Sequence, residues 1–411
     1  MKKSLFAIAA VTAFAGAAQA QSSVTVYGLM DVGYIGGNSR VSSSAITTNG
    51  GNTKTTVNQF GQGAESTSRL GFKGTEALGN GLSAFFTAEF ELFPNDQDLS
   101  GNTSAGLKNR QSFVGLQKTG LGKAAVGTQY TPVFTSGAAT SPGQFNNVIG
   151  DIIYAGAPAV TVKGFDNAGT NSASMTNRTS NTLTVASDKF SGFGVNAMYT
   201  LNNQNVSQTS STAGGNTNAN GWGLGADFTY NKFYVTAAYQ ALKQLTTATN
   251  NGNPTLTTSV PWTSAQPANA IPGAAVTGNA MNVNDNQFIA GATYDFGILK
   301  AYAQYVSRKA TSTQSSNYYV KRSGEQIGVR SFITPTIEAW ASAGLGRYTT
   351  MGANQPTANM NAWQLGTNYL LSKRTNLYAI YGQQLTSTAA SGTTSGSSGA
   401  SQYAIGVRHT F

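Results

Sequence analysis

Hydrophobic and polar positions alternate one for one over stretches of roughly ten residues through much of this chain, the period that a two-faced strand requires. The clearest stretch covers residues 82–92. Leu82, Ala84, Phe86, Ala88, Phe90 and Leu92 share one parity, and Ser83, Phe85, Thr87, Glu89 and Glu91 the other. Successive side chains of a strand point to opposite faces, so this segment predicts one face for hydrocarbon and one for water. Residues 24–32 set Val24, Val26, Met30 and Val32 against Thr25, Tyr27 and Asp31. Residues 224–230, residues 288–296 and the end of the chain repeat the pattern, the last with Tyr403, Ile405, Val407 and Phe411 opposing Gln402, Gly406, Arg408 and Thr410.

Between these segments, connections of two lengths take turns. Short ones fall near residues 75–81, 118–122, 187–192, 231–232, 295–297, 333–336 and 371–375. Long polar ones fall near residues 35–65, 94–108, 131–177, 202–220, 243–284, 309–319, 347–360 and 385–400. The alternation predicts about sixteen antiparallel strands with both termini at the short-turn end. In lipid every backbone polar group must be paired, and strands achieve that only as a closed sheet. The expected fold is therefore all-β, a transmembrane antiparallel barrel with short periplasmic turns and long extracellular loops. A barrel of that size leaves an aqueous channel. A soluble β-repeat protein would instead show a self-similar block of roughly 40–50 residues, and none is visible.

The start of the chain changes the picture in one respect. Lys2 and Lys3, an apolar run over residues 5–18 and the small-residue site Ala18-Gln19-Ala20 predict a secretory signal peptide over residues 1–20. Residues 21–411 then form a single domain. No later apolar run approaches the roughly 20 residues of a spanning helix. With no cysteine, disulfides play no part. Gly, Tyr, Phe, Thr and Asn abound while charged residues make up only 10%, which suits strands and turns. A mean hydropathy of −0.20 fits alternating wet and oily faces. The formal charge of +10 is scattered singly, without the basic-aromatic stripe that nucleic acid requires.

Four stretches also resemble the general diffusion porins of Gram-negative bacteria, of the β-proteobacterial type. They are the start Gln21-Ser22-Ser23-Val24-Thr25-Val26-Tyr27-Gly28, then residues 68–76 (SRLGFKGTE) with 78–82 (LGNGL), then residues 110–116 (RQSFVGL) with 127–130 (GTQY), and finally residues 371–375 (LSKRT) with the end Gly406-Val407-Arg408-His409-Thr410-Phe411. The resemblance implies a sixteen-stranded homotrimeric porin of the outer membrane, with its third loop, residues 131–177, folded inward. It implies passive diffusion of small ions and hydrophilic solutes, contact with outer-membrane lipid and lipopolysaccharide, and delivery by the barrel-assembly machinery through Phe411. It implies no cofactor. Ala77 stands where the family's tight turn usually carries an acid.

The same resemblance places a basic cluster on the barrel wall at Arg69, Arg110 and Arg178. Parity agrees for Arg69, which shares a face with Gly71 and Lys73; Arg110 shares its parity with Val114 and Leu116. Arginine on the lipid face costs about 2–4 kcal/mol at the midplane, which favours the lumen. Facing the cluster, the long third loop carries Asp151, Lys163 and Asp166 as its only charges. Two acids and one lysine against several arginines predict a preference for anions. Parity adds Asp31, Glu89, Glu91, Lys73 and Arg408 as lumen residues. Tyr34, Tyr130, Tyr199, Trp222, Tyr230, Tyr239, Trp363, Tyr369 and Tyr381, near strand ends, suit interfacial girdles.

Catalytic constellations are lacking. The one histidine, His409, is two residues from the end. Gly115 to Gly120 has phosphate-loop spacing, but Leu121 stands where lysine is required. Residues 96–101 have the first spacing of a calcium loop, with Asp96 and Asp98, yet Leu107 replaces the closing glutamate. They read as an exposed acidic loop. Glu89 and Glu91 are same-face neighbours rather than an acid–base pair. The expectation is a channel, not an enzyme; the competing class is a barrel with an occluded lumen whose loops serve adhesion.

Overall fold

The computed structural model describes residues 23–43, 51–96, 99, 106–154, 174–210, 213–246, 283–312, 319–350, 357–391 and 394–411. The expected leader, Lys163, Asp166 and Asp98 lie outside them. The elements are β1 (Ser23–Ser43), β2 (Asn52–Gln62), β3 (Arg69–Gly79), β4 (Leu82–Glu91), β5 (Lys108–Lys118), β6 (Gly122–Tyr130), α1 (Pro132–Ala139), β7 (Arg178–Ser187), β8 (Phe193–Ser210), β9 (Ala213–Tyr230), β10 (Phe233–Thr246), β11 (Val283–Asp295), β12 (Lys300–Ser312), β13 (Tyr319–Phe332), β14 (Ile337–Thr350), β15 (Thr357–Leu370), β16 (Thr375–Ser391) and β17 (Thr394–Thr410).

Each strand from β3 to β16 pairs antiparallel with the next in sequence, and β1 pairs with β17 from Leu29↔Thr410 to Ser43↔Gly396, which closes the sheet. The other edge of β1 is shared. Its first residues pair with β3, from Ser23↔Thr75 to Leu29↔Arg69, and its later ones with β2, from Val32↔Gln62 to Ser42↔Asn52. β2 and β3 are therefore one stave interrupted at residues 63–68, and the seventeen strands make a sixteen-stave barrel. No helix among the described residues is long and apolar enough to cross a membrane.

The two faces separate cleanly. Along β15, buried and exposed positions alternate almost without a break, Gln364 being 0% and Leu365 50% exposed. Leu224, Ile327, Leu345 and Ile405 also point outward and are exposed, while Gln240, Gln287, Gln326 and Asn368 point inward and are buried. Short turns use residues that tolerate a left-handed backbone. The two-residue link between β9 and β10 places Asn231 at φ 51°, a conformation asparagine accepts more readily than most residues.

Strands run further than the alternation indicates. Residues 202–220 and 385–400, which read as long loops, are mostly the ends of β8, β9, β16 and β17. Alternation exists only where one face meets oil, so a strand extending past the hydrocarbon loses the signal but not its hydrogen bonds. Phe411 completes the closure with a reciprocal backbone pair to Gly28, both bonds 3.1 Å.

Candidate functional site

Residues 131–154 lie against the inward face of the wall. Thr131 caps α1, its Oγ1 accepting from the Phe134 amide at 3.2 Å, and Pro132 opens the first turn, a position where its missing N–H costs nothing. Beyond α1 the backbone is clamped by β13, whose inward residues recur every second position. The Gln326 side chain accepts from the Ile152 amide at 2.9 Å, Arg322 donates to the Ile152 carbonyl, and Arg330 donates to the Pro142 carbonyl at 2.7 Å. Arg330 is itself held by Glu338 at 2.5 Å.

The segment then reaches the interrupted stave. Asn147 donates from its amide to the Ala64 carbonyl and from its side chain to Gly63, at 2.9 and 2.6 Å. Its passage along the wall needs a wall without side chains. A Cβ on Gly382 would meet the Ile149 carbonyl oxygen at 1.6 Å, and one on Gly344 would meet the Ile152 side chain at 2.3 Å. Val133, Ile152, Ile153 and Phe145 pack on inward Ile289, Val306 and Met360, so the hydrophobic core of this barrel is the seam between the segment and the wall. Such burial stabilises by about 1.5–3 kcal/mol per large side chain.

The interruption at 63–68 positions the first arginine. The Asp31 carboxylate accepts from the Glu65 and Ser66 amides at 2.9 and 2.6 Å and from the Tyr378 hydroxyl at 2.6 Å, which fixes the bulge. Arg69 then donates from Nε to the Thr67 carbonyl and from Nη2 to the Ser66 hydroxyl, at 2.9 and 2.8 Å. Arg110 is 6% exposed and donates to Glu89 at 2.8 Å and to the Tyr130 hydroxyl at 3.1 Å. The Arg178 guanidinium lies over the Tyr130 ring, 5.6 Å from its centre. The other Glu89 oxygen accepts from the Tyr27 hydroxyl at 3.1 Å, and Lys73 sits 5.2 Å over the Tyr27 ring. Arg69, Lys73, Arg110, Arg178 and Glu89 are thus brought to one part of the inner wall.

The ambiguous parity of Arg110 has a structural cause. Glu89 pairs with Gln111 and Phe90 with Asn109, so Arg110 is the extra residue of a β-bulge. A bulge re-aims one side chain without shifting the rest of the strand. Val114 and Leu116 remain outward and exposed while Arg110 turns inward.

Asp151 stands apart from this cluster. It is 1% exposed in the seam, where Oδ1 accepts from the Ile153 and Tyr154 amides at 2.8 and 2.9 Å and Oδ2 from the Ser141 hydroxyl at 3.2 Å. Burial pushes its carboxyl above the ordinary aspartate range despite these bonds. Burial likewise raises the Tyr154 phenol. Tyr130 does not join the outer girdle: it stacks on Phe134 of α1 with centroids 4.4 Å apart. Tyr34, Trp222, Tyr239, Trp363 and Tyr381 do form ring pairs on the outer face. Among the described residues no cluster of histidine, cysteine and acids has metal-binding geometry.

Sequence parity did not find the contribution of Tyr130, Gln326, Arg330 or Gln364 to this site. Gln326, Arg330 and Gln364 lie on an inward parity, and Tyr130, on the parity of exposed Val126, follows a register shift between Gly127 and Gln129; only the path of residues 131–154 shows what each holds.

A family model described as Gram-negative porin matches residues 7–389. The chain belongs to the Gram-negative porin family. Outer membrane porin protein 32 of Delftia acidovorans is 40% identical over 138 residues, 32% of this chain and 33% of that protein. An outer membrane porin protein of Bordetella pertussis is 36% identical over 131 residues, 31% of this chain and 34% of that one. The aligned regions span about a third of these curated relatives. An anion-selective porin from Comamonas acidovorans shares the fold with a TM-score of 0.62 at 21% identity, covering 95% of this chain and 100% of that one. Outer-membrane expressed OmpT of Vibrio cholerae has a TM-score of 0.57 at 13% identity, covering 95% and 98%. Family, relatives and barrel together locate this porin in the outer membrane.

Proposed function

We propose that this porin is a passive channel for small hydrophilic solutes, that it passes anions in preference to cations, and that it works as a homotrimer. The observation carrying the ion preference is the charge balance at the inner wall. Arg69, Arg110, Arg178 and Lys73 gather around Glu89, while Asp151, the acid of residues 131–154, is turned into the seam. Rings of charge inside a low-dielectric wall govern which ions enter, and this one is positive. Trimeric assembly is supported by the porin family and by OmpT of Vibrio cholerae, a solved structure of the same fold described in a trimer form.

The test is the reversal potential of purified protein in a planar bilayer under a potassium chloride gradient. The wild type is expected to prefer chloride, and Arg69→Gln combined with Arg178→Gln to move the ratio toward potassium. A cation-preferring wild type, or a double variant with an unchanged ratio, overturns the assignment of the cluster.

A further inference from the structure

Phenylalanine is out of place on a wet inner wall, yet two occupy it on the short-turn side of the arginine cluster. Phe85 shares the inward parity of Thr87 and Glu89, and Phe113 pairs with Thr87 across the strands. Both are half-buried. Their rings meet edge to face, with centroids 6.3 Å apart and planes at 76°. A glycine lets the Phe85 ring lie against the sheet: a Cβ on Gly115, its cross-strand partner, would stand 2.6 Å from Phe85 Cζ. Gly115 pairs in turn with Ala125, so the wall beside the ring is low.

These rings form one side of a recess of about 280 Å³. Tyr130, with Pro132 and Thr135 of α1, bounds it toward the arginine cluster, and Lys123, at the start of β6 beside a short turn, bounds the other end. The polar groups between them already satisfy one another. Thr184 donates to the Gln129 side-chain oxygen at 2.6 Å, and the Gln129 amide donates to the Ala125 and Thr182 carbonyls at 3.0 and 2.9 Å. Among the described residues no acid lines the recess, and exposed Lys123 is its one charge.

What the recess offers a solute is therefore ring surface and a single cation. Its volume falls at the lower end of the roughly 300–1,000 Å³ of small-molecule sites, room for one ring rather than several. Phenylalanine faces and edges favour another aromatic ring in offset or edge-on contact. A lysine with no facing acid favours a carboxylate. We propose that this recess is a binding station for small aromatic carboxylates, the ring resting on Phe85 and Phe113 and the carboxylate at Lys123. The proposal deepens the channel reading and rests on it, since the arginine cluster would draw such an anion inward to the recess.

The test titrates benzoate and cyclohexanecarboxylate, equal in charge and alike in outline, into detergent-purified full-length mature protein, with binding read by saturation-transfer NMR. Benzoate is expected to bind more tightly than its saturated analogue by about threefold to tenfold. Lys123→Gln should weaken both acids about tenfold. Phe113→Leu should erase the preference for benzoate. Equal binding of the two acids by the wild type, or undiminished binding by Lys123→Gln, overturns the site. Chloride current through a planar bilayer keeps this apart from the channel reading. A protein that conducts chloride yet binds no benzoate sinks the station alone; one that binds benzoate without conducting sinks the channel reading and leaves the site standing.

Discussion

Replacing Gly382 by alanine tests how residues 131–154 are held inside the barrel. The added Cβ would stand 1.6 Å from the Ile149 carbonyl oxygen, and real Cβ contacts are essentially never closer than 3.0 Å. Both partners are backbone, one of them in a closed sheet, so the segment must withdraw by about 1.4 Å, the difference of those two distances. That movement breaks the bonds that fasten its tip. Gln364 donates to the Val148 and Ile149 carbonyls at 2.9 and 3.2 Å, and the Ile149 amide donates to Gln402 at 3.0 Å. Three bonds at about 0.5–1.5 kcal/mol each amount to a loss of about 1.5–4.5 kcal/mol in docking the tip. The barrel itself stays closed, because β16 keeps its pairing on both edges. Single-channel recording in planar bilayers should therefore show altered conductance and greater open-channel noise in Gly382→Ala, with unchanged heat resistance of the barrel. A variant with wild-type conductance and noise refutes this path for the segment.

Two further outcomes follow from named groups. Burial raises the Asp151 carboxyl, so the folded protein holds that proton more tightly than the unfolded chain. The group's contribution is fully present below the ordinary aspartate value of about 3.9 and is lost as pH rises through the higher folded value. Asp151→Asn, which keeps the acceptor for Ile153 and Tyr154, should hold the segment more tightly at neutral pH and flatten its pH dependence. Protease cleavage rates of the segment between acidic and neutral pH check this, and faster cleavage of the variant at neutral pH contradicts it. Deleting Phe411 removes its two backbone bonds to Gly28, worth about 1–3 kcal/mol at the barrel's closing seam. Refolding into detergent, followed by gel mobility without heating, should show a smaller folded fraction; an unchanged fraction would show that the seam closes without Phe411.

Much of this architecture was legible because the barrel wall separates oil from water at every second residue. Residues 82–92 and 403–411 carry that code directly, and Asp31, Glu89 and Arg408 fall on the inward face that parity assigns. The code fails where one of its two solvents is missing. Along the far ends of β8 and β16 the sequence alternation stops while the pairing continues. A bulge also defeats it, as at Arg110, where a single extra residue reverses parity for one side chain. The interrupted stave of β2 and β3 is invisible for a related reason: the bulge at 63–68 is fixed by Asp31 and Tyr378, far apart in sequence. Asp151 was legible as an acid of the long loop but not as a residue enclosed in the seam. Which wall a loop meets depends on contacts more than a hundred residues away, such as Ile152 with Gln326.

Current through a planar bilayer carrying the purified protein tests the central claim most directly. The proposed channel predicts discrete, ohmic steps arriving in groups of three, with chloride carrying the larger share. A bilayer that contains the folded protein yet stays silent would contradict it.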